Sequence, residues 1–156
     1  MTRTSLPSYQ YTGARAMVGL HEDHLREFLT VWRKAKTANL QLPQTDDPDY
    51  ASLETLLRHV VGCGRGYMVW MCQALGLPDP DINPTPDTDV LAPEVDAFVE
   101  HVVERWRTPL AQVPEKRFNE VYPSSWKVEY CIDAMLEHAV MHPIRHTRQL
   151  NVLLNS

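Results

Sequence analysis

Apolar residues recur at three- and four-residue spacing in four stretches of the chain, the period of one face of an α-helix. The first stretch covers roughly Thr12 to Ala38, with Met17, Leu20, Leu25, Phe28, Val31 and Trp32 in its stripe. The second covers roughly Tyr50 to Leu75, where Leu53, Leu56, Leu57, Val60, Val61, Met68 and Met71 line one side. Asp49 or Ser52 offers a cap at its start, and Gly76 sits where a C-terminal cap belongs. The third opens at Pro93, a favoured first helical position, and continues through Val95, Phe98, Val99, Val102, Val103 and Trp106. The fourth runs from near Ser125 to about Leu154. No segment alternates apolar and polar residues over a strand's length, and no repeat appears, so the pattern predicts an all-α domain.

Proline punctuates the gaps. The stretch LPDPDINPTPDTD, between the second and third segments, exceeds the roughly 2 to 8 residues usual between packed helices. A stiff, extended connector of that kind can run the length of a bundle, which permits the second and third helices to lie parallel. The expected architecture is therefore a four-helix bundle of up-down-down-up order with long Pro-rich connections. One domain over residues 1–156 is expected, with residues 1–10 as a flexible tail.

Composition narrows the classes of function. The formal net charge is -5, and no basic run interleaves with aromatics, so nucleic-acid binding by counterion release is disfavoured. No apolar run approaches the roughly 20 residues of a membrane helix, and the opening MTRTSLPSYQYTG has no signal-like apolar segment. Cys63, Cys72 and Cys131 match no CxxC or zinc-knuckle spacing, and read as reduced thiols of a cytoplasmic protein.

The chemistry concentrates in HAVMHPIRHTRQ, residues 138–149. On a wheel of about 100° per residue, Val128, Met135, Ala139, His142, His146 and Leu153 share one narrow arc. His146 stands in the middle of the apolar face, His142 just inside its border, and His138 beyond it. Two imidazoles at i and i+4 can grip one metal ion. A third ligand must come from another helix, and His59 is the best placed. If the second and fourth helices are antiparallel, His59 lies as far before Gly76 as Pro143 lies past Trp126, level with the histidine pair. Three histidines with an open fourth position form a catalytic rather than a structural zinc pattern, and imidazole also suits nickel, copper and iron. The competing reading is a pair of core histidines that merely pack. His24 reads as a packing or supporting residue in preference to a further ligand, and His101 as solvated.

These residues carry a resemblance. LLRHVVGCGRGYMVW (56–70) and MLEHAVMHPIRHTRQLNVLL (135–154) resemble the DinB-like, DNA-damage-inducible superfamily, which includes bacillithiol-transferase-like proteins. That family is marked by a histidine in helix two and a pattern like HxxxHxGQ late in the last helix; His59, His142, His146 and Gln149 match it. Arg148 replaces the usual glycine and Pro143 lies inside the motif. The proline would free the carbonyl of Ala139 and kink the helix beside the histidines. The resemblance implies a metal-binding up-down-down-up bundle with His59, His142 and His146 holding a divalent metal, zinc or nickel. It implies a small-molecule substrate, a low-molecular-weight thiol as co-substrate, and a homodimer. The activity implied is thiol-dependent S-transfer, or a related isomerisation or hydrolysis; the catalytic residues are not identified. Arg145 and Arg148 are candidates to steer a carboxylate, and Glu129, Asp133 and Glu137 are the nearest acids in sequence. Tyr122 and Trp126, in PEKRFNEVYPSSW, would sit on a lid over a pocket. The alternative is a non-catalytic metal-binding or structural stress-response bundle.

Overall fold

The computed structural model describes residues 4–156. Four long helices make the fold: α1 (Thr12–Thr37), α2 (Leu53–Leu75), α3 (Thr88–Trp106) and α4 (Ile132–Leu154). A two-stranded antiparallel hairpin, β1 (Val121–Pro123) and β2 (Glu129–Cys131), precedes α4, and short 3-10 turns cover Pro48–Tyr50 and Glu115–Asn119.

Cross-helix pairs give the helix directions. The Trp32 indole donates to the Leu53 carbonyl at 2.6 Å, while His21 lies beside Gly64, so α1 and α2 are antiparallel. Arg33 pairs with Asp96, Arg26 with Glu100 and Arg107 with Glu22, so α3 is also antiparallel to α1. Tyr67 meets His138 and His59 meets His142, which sets α4 against α2. The order is up-down-down-up, as the connector length led us to expect. That connector runs back along α2: Arg65 donates to the Ile82 carbonyl at 2.9 Å, and Arg58 to that of Pro86 at 2.9 Å. α3 therefore starts at the same end as α2. The stripe residues meet in one core, where Trp106 is fully buried and its indole donates to the Gly64 carbonyl at 2.8 Å.

Several boundaries differ from the pattern. α3 starts at Thr88, so Pro93 lies inside it rather than at its first position. α4 starts at Ile132, not near Ser125, because the residues before it are drawn into the hairpin. Tyr50 lies outside α2, in a turn capped by Asp47; Ser52 is the true N-cap, in a reciprocal capping box with Thr55. Residues 4–10 are irregular but tied down. Tyr9 is buried with its hydroxyl donating to the Arg107 carbonyl at 2.6 Å, and Arg15 holds the carbonyls of Leu6 and Pro7. Of the tail expected over 1–10, residues 1–3 lie outside the described ones. All three cysteines are free. Among the described residues, no helix is long and apolar enough to cross a membrane.

Candidate metal centre

The side chains of His59, His142 and His146 meet between α2 and α4, with their ligand atoms all within 4.8 Å of one another. His142 and His146 are buried because they belong to the apolar stripe of α4; His59 is half-buried at the edge of α2. The rings stand edge to face, with centroids 4.7 to 5.4 Å apart. His142 Nε2 lies 3.0 Å from His59 Nε2.

The outer nitrogens show which atoms face the centre. Asp49 Oδ2 lies 3.1 Å from His59 Nδ1 and accepts its N–H. Gln149 Oε1 lies 2.8 Å from His146 Nδ1 and accepts its N–H. Both contacts leave Nε2 as the lone-pair nitrogen, the tautomer a metal ligand needs. His146 Nε2 is buried with no hydrogen-bond partner, and so is His142 Nδ1. A buried polar atom without a partner is costly, and a cation shared by the three Nε2 atoms would relieve that of His146. Three nitrogens at zinc-ligand distance in tetrahedral geometry lie about 3.3 Å apart; here the His59 and His142 nitrogens stand at 3.0 Å and no pair of ligand atoms exceeds 4.8 Å. The three histidines could hold a metal ion.

Burial, then the neighbouring imidazoles and Arg145, push His142 down to about 2, and burial chiefly pushes His146 down to about 4. Both rings are neutral donors at neutral pH, as metal binding requires. Burial raises the Cys63 thiol, which lies 3.8 Å from His59 Nδ1, and Tyr67, which donates to it. Cys63 is therefore a protonated neighbour, not a ready nucleophile. Tyr50 closes the other side, its ring 6.0 Å from His59 and 5.7 Å from His146. Arg145 is exposed, yet its charge reaches Tyr50, Cys63, Tyr67, His138, His142 and His146.

The other histidines are not part of the triad, although the His138 ring stacks against His142 with centroids 6.5 Å apart. His24 pairs with Glu27 on the surface at 2.9 Å. His101 is not merely solvated: its Nε2 accepts the Asn83 N–H at 3.0 Å, pinning the connector. His138 lies among Trp126, Tyr67 and Tyr130. His21, which the pattern did not single out, is buried and stacked on Trp106 at 3.7 Å. Asp133 and Glu137 stand near Tyr11, Glu129 is exposed on the hairpin, and Arg148 borders an apolar hollow with Leu42, Leu56 and Leu153. The supporting role of Asp49 was missed; its position beside a helix start reads as a cap.

The expected lid is the hairpin. Trp70 donates to the Pro123 carbonyl at 3.1 Å and holds it against α2. Trp126 at its tip is 47% exposed and faces Tyr67 and His138, whereas Tyr122 is engaged by Glu120 at 2.6 Å. A cavity of about 540 Å³ lies under the tip, and His59 and Cys63 are in its wall.

Comparison with protein-family models, curated proteins and solved structures finds no match.

Proposed function

We propose that His59, His142 and His146 bind one divalent metal ion, zinc or nickel, and that the protein is a metal-dependent enzyme of the DinB-like kind. On this reading it transfers a low-molecular-weight thiol to a small electrophile. The observation that carries the reading is the convergence of three imidazoles, one with a buried and unpartnered Nε2, beside a cavity whose wall includes His59. A divalent ion held there would lower the pKa of a thiol or water in its fourth position, giving a nucleophile at neutral pH. The chain's own part is to hold and shield. Asp49 and Gln149 fix two imidazole tautomers, Tyr50 and Tyr67 exclude water, and Arg145 adds positive charge that favours anionic forms.

Thiol transfer is preferred to hydrolysis because, among the described residues, the one carboxylate in contact with the triad, Asp49, is engaged by His59 and is not free to act as a base on water.

The test begins with protein purified without a nickel column. Metal analysis is expected to find about one divalent ion per chain, lost in His142→Ala. Supplying a thiol and an electrophile should then give turnover that the same variant abolishes. Stoichiometric metal without thiol binding sinks the transferase reading and leaves a metal-binding bundle.

A further inference from the structure

α2 presents one continuous face to the cavity beside the triad: His59, Gly62, Cys63, Gly66, Tyr67 and Trp70, spaced three and four apart. The two glycines differ. A Cβ at Gly62 would come within 3.1 Å of the Thr85 hydroxyl, so the returning connector explains that residue. A Cβ at Gly66 would meet nothing within 4 Å, and the residue has ordinary helical backbone. Glycine inside a helix is destabilising relative to alanine, so neither conformation nor packing accounts for it. What its missing side chain leaves is space in the groove.

The groove has a direction. At one end stands His59, and behind it the buried, unpartnered Nε2 of His146. Arg65 lies about 9 Å further along the helix axis, at 1.5 Å per residue. Its Nε donates to the Ile82 carbonyl at 2.9 Å, which anchors the guanidinium on the connector side. Its terminal nitrogens have no partner among the described residues. Arg58, on the same wall, is held by the Pro86 carbonyl and lies 3.8 Å from Asp87. The one carboxylate in the lining, Asp49, is held by His59. Trp70 and Trp126 provide apolar walls.

We infer that this groove is the substrate subsite of the metal centre, taking an elongated small molecule whose carboxylate docks on Arg65 while its body lies over Gly66 between Trp70 and Trp126. The inference rests on the metal-centre reading for its reactive end, but the groove can be tested without metal. Tryptophan fluorescence reports on it, because Trp70 and Trp126 line the groove while Trp32 and Trp106 are buried. The probes are phenylbutyrate and phenylbutanol, alike in shape and different in charge. Wild-type protein should bind the acid about tenfold tighter, the worth of a charged hydrogen bond at a half-exposed site. Arg65→Gln should equalise the two. Gly66→Leu should weaken both by at least about tenfold. Gly66→Ala should raise Tm by about 2–4 °C, showing that the fold does not need the glycine. Equal binding of acid and alcohol by the wild type, or an acid preference that survives Arg65→Gln, overturns the inference. Cobalt uptake measured on the same samples keeps the two readings apart. Arg65→Gln and Gly66→Leu should retain it at the wild-type level. If the wild type takes up no cobalt and still prefers the acid, the metal centre fails and the groove stands.

Discussion

An imidazole has two nitrogens and only one can face a shared cation, so whatever holds the other decides whether the ring is a usable ligand. Gln149 does this for His146 and Asp49 for His59, both by accepting an Nδ1–H. Partners of this kind are typically worth 10- to 100-fold in metal affinity. Gln149→Ala and Asp49→Ala should therefore each weaken divalent-metal binding by about that factor in competition with a chromophoric chelator. Both positions are exposed, so helix content by circular dichroism should not change. Unaltered affinity in both variants would show that packing alone orients the rings. At this scale much was legible. The helical wheel separated His146 and His142 from His138, since burial follows the apolar arc and so does the site. Gln149 was legible only as a motif position, without its hydrogen bond. Asp49 was not legible, because a contact from a turn to a ring ten residues later has no periodic signature.

The helices could be read from the chain because each buries one stripe, and a stripe repeats often enough to be seen. The hairpin could not. Its strands are three residues each, too short for alternation to register, and Val128 happens to fall on the arc of the following helix. In the structure Val128 is 55% exposed beside the hairpin tip, so its place on the arc carries the helical pattern too far back. Pro93 misled for a related reason: proline favours a first turn, but α3 tolerates it at the sixth position, next to the N-terminal turn where few amides have helical partners. Pro143 lies within an unbroken α4 with its ring buried beside His142. The ends of α2 give a sharper prediction. Ser52 accepts the Thr55 amide at 3.1 Å, and Gly76 closes the helix at φ +67°, where a Cβ is strained. Ser52→Ala and Gly76→Ala should each cost about 1 kcal/mol in urea unfolding. The cost should not depend on added metal, since neither residue touches the triad. A Gly76→Ala variant as stable as the wild type would contradict the left-handed cap.

Across the molecule, three buried histidines make the fold sensitive to acid. His21, stacked on Trp106, is pushed down to about 3 by burial, His142 to about 2 and His146 to about 4. Each ring takes up a proton more readily in the unfolded chain, where its pKa is near 6.5. The stability tied to these groups is therefore complete above about 6.5 and is lost as pH falls from there toward the folded values. Each contributes up to about 1.4 kcal/mol per pH unit in that window, so the three together approach about 4 kcal/mol per unit between about pH 6 and 4. Against a typical domain stability of about 5–15 kcal/mol, unfolding is expected near pH 4. Urea midpoints measured stepwise from pH 7 to 4 should trace this fall. His21→Phe keeps the stacked ring without the titrating nitrogens, so it should remove about a third of the slope. Metal should act on the same curve in the opposite sense. A divalent ion at about 100 times its Kd adds about 2.7 kcal/mol to the folded state, moving the acid transition to lower pH. That displacement should vanish in His142→Ala and persist in His21→Phe, because only His142 belongs to the triad. Equal displacement in both variants would place the ion elsewhere on the protein, and a flat stability curve from pH 7 to 5 would mean that the folded chain accommodates these rings in their charged form.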